Sequence, residues 1–240
     1  MDAKTHYDNH LAGFYSWMAG DFEAAKNEFM AFCREHGISP GSNGFALDLG
    51  AGHGIQSIAL AELGFKVMAV DFSGALLAEL ESRKGGYPVE CVKGDIMSVR
   101  TYAQPKPELI VCCGDTLAHL SSWDAILEFI SACGESLADG GKLLLSFRDY
   151  SVELRDTARF IPVKSDDSRI LTCFLEYFED NVRVTDLLYE KTPSGWVQKA
   201  SSYCKVRTTP AGVTARMEKA GFKVQSSTTK RGLISILCIK

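Results

Sequence analysis

The chain has 240 residues, 46% hydrophobic and 23% charged, a globular balance that excludes disorder and collagen-like repeats. Twenty-six basic residues against 30 acidic ones leave a net charge of −4, which argues against a general binder of nucleic acid or anionic membranes. The polar start MDAKTHYDNH lacks the apolar stretch of a signal peptide, and no apolar run approaches the roughly 18 residues that span a bilayer. A cytoplasmic protein without a membrane partner is expected. Eight cysteines are scattered without a Cys-x-x-Cys pair, mostly in apolar runs such as LIVCC and ISILCI, which reads as buried reduced thiols. His6 and His10 stand four apart with no further ligands nearby, so no metal is expected.

In chain order, Phe14, Trp17, Met18, Phe22, Ala25, Phe29 and Phe32 recur at helical spacing and predict one or two amphipathic helices over 11–35. Gly37 and the cluster 40–44 stop them. FALDLG then reads as a buried strand ending in a glycine turn. Helices over 55–63 and 75–83 alternate with strands over 66–71, 89–93 and 109–113. A helix over 121–137, with Ser121 as its N-cap and Asp124 in its first turn, precedes a strand over 142–147. Strands separated by helices predict βαβ units and a parallel sheet, an α/β doubly wound fold.

After Phe147 the pattern changes. Residues 149–168 are charged and mixed, read as a lid or loop with a short helix. Three β-rich stretches over 170–207 are separated by Glu179-Asp180-Asn181 and Thr192-Pro193-Ser194-Gly195, turn chemistry that predicts an antiparallel meander. Thr209-Pro210 opens a helix to about 220, and strands over 223–228 and 233–239 close the main sheet as a hairpin. One domain is expected over 1–240. Its parts are an N-terminal helical cap at 1–40, a core at 44–150, a lid and β insertion at 151–207, and a closing helix and hairpin at 208–240.

The informative chemistry lies in Asp48-Leu49-Gly50-Ala51-Gly52-His53-Gly54, where a strand meets a helix. Glycines here let the backbone approach a ligand, and the helix N-terminus offers N–H groups to an anion. The spacing is G-x-G-x-G, and the third glycine of the dinucleotide fingerprint would fall on Ile55. Asp48 would repel a pyrophosphate but suits an ammonium group. A ligand with amino and carboxylate ends, such as the methionine moiety of S-adenosylmethionine, therefore fits this loop. Asp71, closing the next strand, is placed to accept hydrogen bonds from ribose hydroxyls, a role it would serve equally for NAD. Cys112 and Cys113 lack the cationic neighbour a reactive thiolate needs.

LDLGAGHG, AVDFS, KGDIMSV and LIVCCGDTLAHL, in that order over about 45–150, resemble the class I S-adenosylmethionine-dependent methyltransferases. The resemblance implies a Rossmann-like, mostly parallel seven-stranded sheet and S-adenosyl-L-methionine as cofactor, with S-adenosyl-L-homocysteine as product. It also assigns the contacts. Asp48, Gly50, Ala51, Gly52 and Gly54 form the first group, and Asp71, Phe72 and Ser73 the second. Gly94, Asp95 and Ile96 follow the third strand, with Asp95 near the adenine amino group. Cys113, Gly114, Asp115 and Thr116 follow the fourth.

FKVMAVDFS, GDTLAHL and SFRDY are further similar to the glycine N-methyltransferase-like branch, with motifs G-N-S-F-A-H-L and H-R-N-Y. Gly114, Ala118, His119 and Leu120 match the first, and Arg148 and Tyr150 the second; Asp115, Thr116, Leu117, Phe147 and Asp149 depart. The resemblance implies that Arg148 binds an acceptor carboxylate and His119 backs the cofactor, with Tyr150 beside them. It also implies that Tyr15, and less directly Tyr7, contact the cofactor from the N-terminal helix. The expected reaction is methyl transfer to a small-molecule acceptor, preferably the nitrogen of a small amine or amino acid. Oxygen or protein methylation and a non-catalytic cofactor-binding regulator remain alternatives. Against nucleic acid stand the acidic balance, the lack of a basic aromatic strip, and the absence of an N/D-P-P-Y tetrapeptide.

Overall fold

A computed structural model describes residues 3–6 and 10–240. Four short or mid-length helices come first around the opening strand: α1 (Ala3–His6), α2 (Tyr15–Ala19) and α3 (Phe22–Glu35), then β1 (Phe45–Leu49) and α4 (Ile55–Glu62). The chain continues through β2 (Lys66–Asp71), α5 (Gly74–Arg83), β3 (Val89–Lys93), α6 (Val99–Tyr102) and β4 (Leu109–Cys112). Next are α7 (Trp123–Ser136) and β5 (Lys142–Arg148), and then β6 (Phe160–Ser165), β7 (Arg169–Tyr177), β8 (Asn181–Thr192) and β9 (Gly195–Val206). Helix α8 (Pro210–Lys219) and strands β10 (Lys223–Lys230) and β11 (Leu233–Ile239) complete it.

The large sheet has the order β10-β11-β5-β4-β1-β2-β3. Strands β1 to β5 are parallel, and β11 runs antiparallel to β5 and β10. The parallel strands are near-continuous apolar runs because both faces are covered. Phe129, Ile130, Phe147 and Met217 pack on one face, under α7 and α8. Ile58, Leu60, Phe65 and Leu80 pack on the other, under α3 to α5.

A separate antiparallel sheet, β6-β7-β8-β9, rests its inner residues Leu175, Val184 and Tyr203 against Ala118 and Tyr150. Its fourth strand, β6, corrects the reading of 149–168 as lid or loop. Four of its six residues are exposed, and its register shifts between Pro162 and Lys164, so it shows no clean alternation. The stripe over 11–35 divides into two helices, as Asp21, accepting from the Ala24 N–H, starts α3 afresh after Gly20 at φ +90°. One helix boundary differs. The N-cap of α7 is Ser122 rather than Ser121, because the extended Ser122 points its hydroxyl at the Ala125 N–H. Among the described residues, no helix is long and apolar enough to cross a membrane.

Candidate active site

Strand order reverses between β1 and β4, where an open α/β sheet leaves a crevice at the carboxyl ends of its strands. A cavity of about 620 Å³ lies at that edge, within the roughly 300–1,000 Å³ usual for small-molecule sites. Its floor is the turn after β1. Gly50, Gly52 and Gly54 all have left-handed backbones, at φ +79°, +53° and +99°. A Cβ on Gly54 would sit 2.1 Å from Leu80 Cδ1, so this glycine is required by packing and does not line the cavity. A Cβ on Gly52 would meet only the Tyr15 ring, at 3.9 Å, and would otherwise enter the cavity.

The turn and the end of β2 are tied together. Asp71 accepts from the Gly52 N–H and the Ser73 N–H, each at 2.8 Å, and presents its carboxylate to the cavity. Ser73 stays beneath, capping α5 through the Leu76 N–H. Asp48 behaves differently: it is buried behind the turn, accepts from Ser57 Oγ at 2.6 Å, and does not line the cavity. Burial raises its carboxyl to about 7. From above, Tyr15 of α2 covers the turn, edge-on to His53 at 5.2 Å. Burial, then the Asp71 charge, raise its phenol to about 12, so it remains a hydroxyl.

Phe72, Gly94, Asp95 and Ile96 form the wall after β2 and β3, while Ala51, Cys113, Gly114, Thr116 and His119 complete it. Burial pushes the Cys112 and Cys113 thiols upward, so neither is a thiolate. Burial, followed by the charge of Lys205, holds His119 well below the usual imidazole range. The ring facing the cavity is therefore neutral, stacked on Tyr203 at 5.4 Å.

Asp115 turns away from the cavity, and its buried carboxylate accepts from the Arg148 N–H (2.9 Å), Tyr150 Oη (3.0 Å) and Lys205 Nζ (2.6 Å). Tyr150 is thus a buried brace, and the exposed Arg148 side chain lies outside the cavity, with Nη1 3.7 Å from where a Gly232 Cβ would be. Tyr7 lies outside the described residues.

Sequence reasoning did not single out Gln56, Leu76, Lys93 or Lys205. The first three flank motifs it had identified, at the opening turns of α4 and α5 and just before Gly94. Lys205 carries no local signal except a lysine on the inward-facing register of Tyr203.

Residues 46–141 match the family model described as "Methyltransferase domain". This segment, two fifths of the chain, is similar to a methyltransferase domain. It contains the glycine turn, Asp71 and the β4 loop just described. The chain is 36% identical over 104 residues to a ubiquinone biosynthesis O-methyltransferase of Xanthomonas euvesicatoria, a match covering 42% of this chain and 41% of that protein. It is 29% identical over 161 residues to a glycine/sarcosine N-methyltransferase of Aphanothece halophytica, covering 62% and 58%. The match therefore spans about two to three fifths of these curated relatives. The CcbJ methyltransferase of Streptomyces caelestis superposes with a TM-score of 0.78 at 16% identity, over 98% of both chains. The chain thus shares the seven-stranded fold of the class I S-adenosylmethionine-dependent methyltransferases. Its residues fit that cofactor: the space above Gly52 is one a Cβ would fill, and Asp71 faces it with a carboxylate oriented by two N–H groups.

Proposed function

We propose that this protein is an S-adenosylmethionine-dependent methyltransferase acting on a small molecule, preferably at an amine nitrogen. The observation that carries the reading is the pairing of Gly52 with Asp71 at the switch point of the sheet, beneath Tyr15. S-adenosylmethionine, when bound, supplies a sulfonium methyl group already activated for in-line displacement. The chain then has to hold the donor, align a neutral lone pair with it and exclude water. Asp71 would accept the ribose hydroxyls, and Gly52 would leave room for the donor against the backbone. Tyr15 would close the site from above. A neutral His119 at the wall can accept a hydrogen bond from an acceptor.

The glycine/sarcosine N-methyltransferase relative favours nitrogen, whereas the ubiquinone relative bears the name of an O-methyltransferase. The test is calorimetry with S-adenosylmethionine and S-adenosylhomocysteine, then turnover against small amines, amino acids and phenols with product mass. One-to-one binding and an N-methylated product are expected. Methylated oxygen alone would overturn the nitrogen preference, and affinity for NADH without affinity for S-adenosylmethionine would overturn the whole reading.

A further inference from the structure

The β4 loop carries an acid, Asp115, where the glycine N-methyltransferase-like motif has asparagine. Gly114 and Asp115 both take left-handed backbones, φ +75° and +76°, a conformation that asparagine and aspartate tolerate better than most residues. Either would therefore serve the turn, but only aspartate brings a charge into it. That charge is 95% removed from solvent and is met at 2.6 Å by Lys205, itself 90% removed. Burial alone would depress the Lys205 ammonium, but Asp115, Tyr150 and Tyr203 together outweigh that, Asp115 most of all, and hold it above its ordinary range.

The two residues belong to different sheets: Asp115 follows β4 of the large one, and Lys205 lies on β9 of the small one. Their neighbours in sequence build the site. Cys113, Gly114, Thr116 and His119 all line the cavity, and Asp115 is the pivot between them, pointing the opposite way. Gly114 and Asp115 are held further by Ser146 of β5, through Oγ and the carbonyl oxygen.

We infer that Lys205 is a positioning residue for the methyl-transfer site: its charge pairs with Asp115, locks loop 113–119 against β9, and so sets the wall that His119 presents to the acceptor. This rests on the functional reading above. Lys205 does not line the donor cavity; it lines an adjoining one of about 550 Å³ that shares His119 and Leu120 with it. Its influence on donor binding therefore passes through the loop.

The test compares wild type, Lys205→Met, Asp115→Asn and the double variant Lys205→Met/Asp115→Asn. Each single substitution strands one buried charge, whereas the double removes both and restores the asparagine of the related motif. S-adenosylhomocysteine affinity should fall about tenfold or more in each single variant, the middle of the range for coupled neighbours, and return to within about threefold in the double. The His119 ring signal by NMR should titrate at higher pH in Lys205→Met and also in the double, since both lack the lysine charge. Loss of position and loss of charge are thereby read separately. Failure of a single variant to fold, with a folded and binding double, supports the pairing equally. Wild-type affinity in Lys205→Met, or a double variant as weak or as unfolded as the singles, would overturn it. Wild type that binds no S-adenosylhomocysteine would instead overturn the functional reading.

Discussion

Gly52 and Gly54 share a left-handed backbone but face different neighbours, and substitution should separate them. Gly52→Val puts its side chain into the cavity beside Tyr15. Calorimetry should show no S-adenosylhomocysteine binding, while urea unfolding should register only the left-handed strain of roughly 1–2 kcal/mol. Gly54→Val should do the reverse and cost mainly stability, because Leu80 is fully buried and cannot retreat. Asp71→Ala removes a charged acceptor, so affinity should drop by roughly 1.5–3 kcal/mol, about ten- to hundredfold.

Asp48 predicts a pH effect with a definite sign. Its carboxyl titrates near 7 when folded, because burial favours the neutral form, against about 3.9 unfolded. The folded state holds that proton through the window from about 4 to 7 while the unfolded state has lost it. Stability from this group is thus full below about 4 and falls by up to about 1.4 kcal/mol per pH unit as pH rises to 7. Asp48→Asn should flatten that part of the apo-protein profile, measured by urea unfolding between pH 4.5 and 7.5. An unchanged slope would contradict the assignment.

At the level of elements, the N-terminal segment works as a strap between the two sheets. His6 of α1 is fully buried, bonded to Asp186 Oδ2 at 3.0 Å and Ser201 Oγ at 2.7 Å on the small sheet. Trp17 of α2 lies under Lys164 and Arg169, at 5.4 and 5.8 Å, and Lys164 also donates to its carbonyl oxygen. Ser16 reaches Glu79 of α5 on the other side. Between these anchors, Tyr15 is held over the cavity. His6→Ala takes an imidazole from the buried Asp186 carboxylate, a loss of about 1–3 kcal/mol. Faster amide exchange in α2 and faster release of S-adenosylhomocysteine are expected, with exchange in β1 and β4 unchanged.

Across the whole molecule, the placement of β5 bears on the acceptor. The strand lies between β4 and β11, and Arg148 pairs in register with Leu233 beside the closing hairpin. Its exposed side chain lies outside the donor cavity, so the guanidinium does not reach the donor in this geometry. Arg148→Lys should accordingly leave cofactor affinity unchanged and kcat/KM within about threefold for the acceptor that the turnover screen identifies. A large loss would show that Arg148 swings in when the acceptor binds.

What could be read from the sequence follows patterns of short range. Alternating apolar runs and helical stripes marked the parallel strands and their helices, and a glycine turn with an acid at the next strand end marked the cavity floor. Both depend on residues a few positions apart. Two acids at strand ends read alike, yet Asp48 faces Ser57 from within β1 while Asp71 ends β2 at the open edge. Strand direction and the neighbouring helix decide that difference. The mostly exposed β6 left no periodicity to read, and the pairing of Asp115 with Lys205 spans 90 residues. Local patterning carries hydrophobic periods and turn chemistry because neighbouring residues share one element. Which buried charges meet was decided only when β9 folded against the β4 loop.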